Sequence, residues 1–93
     1  MFADALRKFR DCVRAGNVAV TQHAFEEMND DDLLQVDVGH CILRGAIVER
    51  QWDKEWLAWK YLITGATTDG LAMQVVVKFG HSGNAVVITT YLL

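Results

Sequence analysis

The second half of the chain is a succession of strand-like segments, and this feature most restricts the folds available to it. From Ala46 onward, runs rich in Val, Ile, Thr and aromatic residues alternate with short groups of turn residues. The predicted strands are Ile47–Trp52, Trp56–Thr64, Leu71–Phe79 and Ala85–Leu92. Their connections are short enough for hairpins, so the pattern predicts a four-stranded antiparallel β-meander.

Three helices are predicted before these strands. The first is marked by apolar residues that recur every three or four positions, namely Phe2, Leu6, Phe9 and Val13. A short extended piece, Val18–Val20, leads to Thr21, which can cap a second short helix. Asp32-x-x-Gln35 is a variant of the capping box and opens a third helix, which Gly45 closes. Helices followed by strands indicate one α+β domain over residues 1–93, with three N-terminal helices packed on the sheet.

The charge and cysteine content restrict the functions that this chain can have. The formal net charge is −3 at pH 7, so any nucleic-acid site must be a local basic patch. Cys12 and Cys41 are far apart and fall on apolar helix stripes, so we interpret them as buried free thiols. The three histidines lack the paired spacing of a metal site, and no cofactor is implied. The apolar segments are short and broken by charges, which predicts a cytoplasmic protein without membrane contact.

Side chains alternate between the two faces of a strand, and this assigns each residue of the predicted sheet to one side. The apolar set expected to face the helices is Leu57, Trp59, Tyr61, Ile63, Met73, Val75, Val77 and Phe79. The opposite face then carries Lys60 and Lys78, together with whichever of Glu49 or Arg50 points that way. Both a solvated face decorated with lysines and a set of polar groups converging on a ligand fit this pattern.

Several short motifs, in a fixed order between residues 20 and 92, resemble those of a known family. They are Thr21-x-His23-Ala24-x-Glu26-x-Met28, Gly45-x-Ile47-x-Glu49, Tyr61-Leu62-Ile63-x-Gly65, Asp69-Gly70 and Val87-Ile88-Thr89-x-Tyr91. In this order and spacing the chain resembles the small bacterial and archaeal proteins of domain of unknown function 4258. The resemblance implies a RelE/barnase-like fold and the toxin of a type II toxin-antitoxin pair. It also implies metal-independent endoribonuclease activity, with RNA as substrate and a cognate antitoxin as partner.

Two positions depart from the pattern of that family. Glu27 stands where the family usually has an arginine, and the acidic run Asp30-Asp31-Asp32 occupies the place of a second one. Replacing cations with carboxylates removes phosphate contacts and repels an RNA strand. The departure leaves open a decayed toxin that only binds its partner.

Metal-free RNA cleavage needs a base, an acid and a cation for the charge that develops on phosphorus. The predicted catalytic residues are His23, Lys60 and Tyr91, and the predicted RNA-binding residues are Arg50, Lys78 and Trp56. His23 falls in the first turn of the second helix, where titration near neutral pH would suit an acid or a base. Tyr91 could donate a proton or stack on a base, and Trp56 could also stack.

The histidines and Tyr91 also have purely structural interpretations. The His23 imidazole could hydrogen-bond a neighbouring strand, and Tyr91 could be a packing aromatic with its hydroxyl in water. His40, three residues after Asp37, is expected to form a surface pair with it. His81 lies in a Gly-rich loop, where flexibility is the usual requirement.

A non-catalytic interaction module is the other class of function that the chain favours. An exposed edge strand could pair with a strand of an antitoxin or with another copy of the chain in a homodimer. The apolar C-terminus, Tyr91-Leu92-Leu93, fits such pairing. A nuclease requires its cations clustered near His23, whereas a module requires only a complementary surface.

Overall fold

The protein is built from helices followed by a sheet, which confirms the predicted α+β class. The computed structural model describes residues 2–93, and Met1 lies outside the described residues. In chain order the elements are α1 (Ala3–Arg14), β1 (Val18–Val20), α2 (Gln22–Asp30), α3 (Gln35–Arg44), β2 (Ala46–Asp53), β3 (Ala58–Ala66), β4 (Ala72–Phe79) and β5 (Ala85–Leu92). The three predicted helices are therefore present, and Gly45 caps the end of α3 as expected.

The sheet has one strand more than the sequence pattern predicts. Among residues 2–93 it contains five strands in the order β1-β5-β4-β3-β2. Strands β2 to β5 form the predicted antiparallel meander, but β1 pairs in parallel with β5. The prediction of a purely antiparallel four-stranded sheet is therefore wrong, because a segment of three residues carries too little periodicity to reveal its pairing. The extension continues at Thr21, whose N–H donates to the Val87 carbonyl at 3.0 Å.

All three helices contribute to a core on one face of the sheet. The buried apolar residues are Phe9, Cys12, Ala24, Met28, Leu33, Val38, Cys41, Ile42, Ile63, Met73, Val75, Val77, Ala85 and Val87. The Phe9 ring of α1 stacks on Phe79 of β4 with centroids 4.0 Å apart. The predicted helix-facing set is thus confirmed along β4 and at Ile63, as expected from period-two alternation.

The β2–β3 turn is longer than predicted, and this moves two residues out of the strand. Strand β3 begins at Ala58, so Trp56 and Leu57 lie in the turn. The Asp53 carboxylate organises the turn by accepting the N–H groups of Glu55 and Trp56 at 2.9 and 3.2 Å. Leu57 has a φ of +50° and is 74% exposed. The prediction that Leu57 faces the helices is therefore wrong.

Helix α3 begins at a different capping residue from the predicted one. Asp32 has a φ of +56° in the loop before the helix and does not cap it. Instead, Asp37 accepts the N–H of Leu34 at 2.9 Å. Its other oxygen accepts the backbone N–H and the hydroxyl of Thr68, both at 2.9 Å. The bonds from Leu34 and Thr68 lower the pKa of Asp37 and tie α3 to the β3–β4 loop.

We expect Asp37→Ala to lower the free energy of unfolding by about 2–3 kcal/mol at pH 7, because three donors lose a charged acceptor. The pKa of Asp37 is below 3.8 in the folded protein, so the carboxylate contributes fully above about pH 4. Its contribution is lost as the pH falls through the lowered folded pKa. Urea unfolding at pH 7 and at pH 2–3 measures both effects.

The control for this substitution is Asp4→Ala. Asp4 forms only an exposed ion pair with Arg7, at 3.4 Å, so its loss should change stability by less than about 0.5 kcal/mol. Equal stability of the Asp37 and Asp4 variants at pH 7 would contradict the structural role assigned to Asp37.

Candidate functional site

A β-bulge in β2 decides which of its side chains share the side of the sheet away from the helices, here called the open face. The register between β2 and β3 shifts between Ile47 and Glu49. After the shift Glu49 pairs with Leu62 on the open face, whereas Arg50 pairs with Tyr61 on the helix side. Of the two residues that the sequence left undecided, Glu49 therefore joins the lysines and Arg50 does not.

Arg50 instead belongs to an aromatic group at the β2 edge. Its guanidinium carbon lies 4.0 Å from the centre of the Trp59 ring. Trp59 in turn meets Trp52 edge to face, with centroids 5.3 Å apart. Both tryptophans are partly exposed, since the helices do not reach this end of the sheet. Arg50 is thus held by a cation–π contact and is separated from the lysines by the sheet.

Lys60 and Lys78 lie on adjacent strands of the open face. The paired register of β3 and β4 ends at Tyr61 with Val77, and each lysine lies one residue beyond this pair on the open face. Like charges in this position destabilise a sheet unless other groups compensate them. The Lys60 Nζ lies 3.2 Å from Asp53, and the Lys78 Nζ lies 4.2 Å from the centre of the Trp56 ring. The structure thus brings together three of the six predicted site residues, and two cations adjoin at one place.

Asp53 links the β2–β3 turn to this lysine pair. Its pKa is lowered chiefly by the N–H of Trp56, with further contributions from its hydrogen bond with Lys60 and from the N–H of Glu55. The carboxylate is therefore ionised at neutral pH and partly neutralises Lys60. Among residues 2–93, Lys78 has no carboxylate within ion-pair distance. Its charge is therefore less neutralised than that of Lys60, and it is the lysine better able to bind an anion.

A cleft opens on this face between the β2–β3 turn and the β4–β5 loop. It has a volume of about 660 Å³, and its lining includes Trp56, Lys78, His81 and Asn84. We call it the Trp56 cleft. Lys78 is only 9% exposed, which makes its amine part of the floor of this cleft rather than a freely solvated surface group. The volume is in the range of small-molecule sites and suits a ligand of nucleotide size.

His81 is the residue of this cleft whose place the sequence did not reveal. Its Gly-rich loop indicated only flexibility, and no spacing rule connects it to Trp56, 25 positions away. The two meet because the β2–β3 turn and the β4–β5 loop lie at the same end of the antiparallel meander. In an antiparallel meander, two turns that are separated by two strands lie at the same end of the sheet. The order of the predicted hairpins could therefore have indicated that His81 lies near Trp56.

His23 lies at the rim of the sheet, on the first turn of α2. The predicted cap is confirmed, since the Thr21 hydroxyl accepts the N–H of Ala24 at 3.1 Å. The His23 side chain is 70% exposed, and its Nε2 lies 3.3 Å from a carboxylate oxygen of Glu27. The carboxylate therefore orients the imidazole.

Glu27 has a structural role that its sequence position did not suggest. The same carboxylate oxygen accepts the hydroxyl of Thr89 and, at 3.2 Å, the backbone N–H of Thr90. These groups lie on β5 beyond the end of the short β1, where no neighbouring strand in residues 2–93 satisfies them. Glu27 therefore covers the edge of β5.

Tyr91 shares the open face but lies at its other end. It pairs with Gln74, four residues along β4 from Lys78, which corresponds to roughly 13 Å in an extended strand. The side chain is partly exposed. The predicted site residues thus form three groups, with Lys60, Lys78 and Trp56 at the cleft, His23 and Tyr91 along the β5 side, and Arg50 on the opposite face.

The remaining histidine and the cysteines hold the fold together. The His40 Nδ1 donates to the Ala66 carbonyl at 2.9 Å, so the expected surface pairing with Asp37 is not what positions it. Cys12 and Cys41 are buried free thiols, as predicted. Burial raises the pKa of Cys41 to about 11, which makes its thiol unreactive at neutral pH. Within residues 2–93, no cluster of His, Cys, Asp and Glu side chains is arranged to hold a metal ion, and no helix has the length and apolarity to cross a membrane.

The fold and the site define a small α+β protein with helices on one face of a mixed sheet and, on the other, a cleft whose lining includes Lys78 and Glu55. The chain matches the family described as domain of unknown function (DUF4258) over residues 20–92, and it belongs to that family. It matches no curated protein and no solved structure. The family match begins at the end of β1, so α1 lies outside it.

Proposed function

We propose that this protein is the toxin of a toxin-antitoxin pair and that its fold is related to that of the RelE/barnase-like RNases. We further propose that it cleaves cytoplasmic RNA without a metal. The observation that carries the proposal is the position of two cations on adjacent strands of the open face. Lys60 and Lys78 each lie one residue beyond the last β3–β4 pair, and Lys78 lines the Trp56 cleft. Two adjacent cations repel each other within the protein, and a phosphate placed between them relieves that repulsion. The ring of Trp56 offers its remaining face to an unpaired base.

A single strand of RNA has a continuous route from this cleft to His23. Val76, two residues from Lys78 on β4, pairs with Thr89, and Thr89 bonds Glu27. The path from Lys78 to His23 therefore crosses β4 and β5 and one turn of α2, so a bound strand must extend over several nucleotides to reach both residues. The RNA would cross β4 and β5 on the open face, with Tyr91 along its path. Arg50 would touch only RNA that passes around the β2 edge.

In this arrangement His23 acts as the acid or base. Its carboxylate partner Glu27 holds the imidazole in one orientation. Tyr91 donates a proton or stacks on a base. Lys60 lies too far from His23 to contact the same phosphate, so it holds a phosphate elsewhere on the bound strand. The partner expected for such a toxin is its cognate antitoxin.

A non-catalytic module or decayed toxin is the second candidate, and one observation favours it. Glu27 at the rim is committed to Thr89 and Thr90, so the position that holds an arginine elsewhere in the family offers no cation to a phosphate here. Such a protein would bind its partner and leave RNA intact. Binding and cleavage must therefore be measured separately.

Lys78→Ala should weaken RNA binding by about tenfold at low salt, because one phosphate contact and its released counterion are lost. The slope of log affinity against log salt should become shallower by about 1. The measurement is fluorescence anisotropy with a short single-stranded 2′-O-methyl RNA, which binds but has no free 2′-hydroxyl for cleavage. Lys8→Ala, an exposed lysine on α1, is the matched control. Equal affinities and slopes for the two variants would exclude the Trp56 cleft as the RNA site.

A further inference from the structure

The two edges of the sheet differ in how their backbone groups are satisfied. At the β5 edge, the Thr21 hydroxyl donates to the Ile88 carbonyl at 3.2 Å and Glu27 accepts the Thr90 N–H. At the other edge, the sheet order ends with β2, and within residues 2–93 no strand pairs with its outer side. Natural sheets protect a long edge by shortening it, covering it, inserting proline or a β-bulge, or placing charged residues on it. The bulge near Val48 interrupts only the first part of β2, and its charged residues are Glu49, Arg50 and Asp53. Here β2 is eight residues long and the chain has no proline.

The outer part of β2 has the composition of an interface. Trp52 is 49% exposed, and Arg50 lies beside it on the same side of the strand. Tryptophan and arginine are the residue types most enriched at the energetic centres of interfaces. The bulge ends at Glu49, so the uninterrupted segment of β2 is Glu49–Asp53, with Gln51 at its midpoint.

We propose that β2 pairs antiparallel with β2 of a second copy of this chain, about a two-fold axis through Gln51. In that register Arg50 of each copy stands opposite Trp52 of the partner subunit, and the two Gln51 side chains meet on the axis. Arg50 already lies 4.0 Å from its own Trp59 ring. The partner's Trp52 would contact the guanidinium from the other side, so a cation is held between two aromatic rings.

The sequence of β2 selects both this occupant and this register. Arg50-Gln51-Trp52 is self-complementary, because reversing the strand exchanges a cation with an aromatic ring about a central amide. A shift that centres the axis on Arg50 would oppose two arginines, and one that centres it on Glu49 would oppose two glutamates. The axis through Gln51 avoids both contacts and forms two Arg50–Trp52 pairs, and its like-charged neighbours are the carboxylates of Glu49 and Asp53.

The same register places Glu49 opposite Asp53 of the partner subunit on the open face. Each carboxylate already has a donor in its own chain. The Gln51 amide donates to Glu49, and Lys60 donates to Asp53 at 3.2 Å. Their mutual repulsion is reduced accordingly. The paired sheets would also place both Trp56 clefts on one side of the dimer, although the pairing does not depend on RNA binding.

The test is sedimentation equilibrium of the full chain over a concentration series, because a seam of five residue pairs should give a dimer that dissociates on dilution. Trp52→Lys places a lysine opposite Arg50 of the partner subunit and should raise the dimer dissociation constant by roughly 100-fold. Adding Arg50→Glu restores an attractive pair at the same position, so the double variant should dimerise again. Trp56→Lys, which lies in the turn outside the seam, should dimerise like the unchanged chain.

Cross-linking provides a second test that does not depend on the Trp52 variant folding. Gln51→Cys would place two thiols on the two-fold axis, at a spacing that a disulfide spans. Oxidation should give a covalent dimer, whereas Lys54→Cys, beyond the seam, should not. A chain that stays monomeric at all concentrations would overturn the proposal. So would a dimer that Trp52→Lys leaves intact, or a Gln51→Cys variant that does not cross-link.

Discussion

His23→Ala should abolish RNA cleavage, with a loss of at least about 100-fold, because the variant lacks the acid or base expected to move a proton. The fold should be unchanged, since the side chain is 70% exposed and its recorded polar contact is with Glu27. Glu27 keeps its bonds to Thr89 and Thr90 in the variant. The measurements are cleavage of a short single-stranded RNA and growth arrest on induced expression, with total RNA examined.

His81→Ala is the matched control, because His81 lies in the Trp56 cleft and not at the rim. We expect it to weaken RNA binding a few fold and to leave the rate of cleavage at saturation close to normal. Full activity of the His23 variant would show that His23 is structural and that the proposed mechanism is wrong. Loss of cleavage in the His81 variant alone would move the acid or base to the cleft. Binding without cleavage by the unchanged protein would favour the decayed toxin.

Gly45→Ala should have the largest effect on stability, with a loss of about 3 kcal/mol or more. A Cβ at this position would overlap the carbonyl oxygens of Thr64 and Cys41, which are backbone atoms with no freedom to move aside. The φ of Gly45 is −85°, so the requirement is close approach of α3 to β3 and not a left-handed conformation. Much of the 5–15 kcal/mol typical of a domain would be lost. Thermal and urea unfolding measure the effect.

Gly39→Ala separates this steric effect from the general effect of adding a methyl group. A Cβ at Gly39 would lie 3.4 Å from a side-chain methyl of Val13, which can rotate, and alanine favours the helix by about 1 kcal/mol. We expect little change in stability from this substitution. Comparable losses for Gly39→Ala and Gly45→Ala would contradict the packing argument at the α3–β3 junction.

The candidate site was partly predictable because alternation along a strand is a local property. Lys60 and Lys78 were expected on one face, and they lie on the same face of adjacent strands. Arg50 could not be assigned, because a one-residue bulge reverses the face of every later residue in β2 and no residue near Val48 signals it. His81 lies in the cleft because the β2–β3 turn and the β4–β5 loop are close in space, although His81 and Trp56 are 25 positions apart in the sequence.

Local periodicity and composition determined the helices, the four-stranded meander and the apolar face of β4, since these depend on side chains a few positions apart. Only the tertiary structure decided that β1 joins the sheet in parallel, that Glu27 covers the β5 edge and that Asp37 caps α3. Each of these contacts joins residues that are distant in sequence. A buried backbone N–H or C=O group requires a hydrogen-bond partner, but the local sequence does not show which distant group will be that partner. The same reason applies to the outer edge of β2, since no strand of residues 2–93 pairs with it and local sequence patterns do not identify a partner for it.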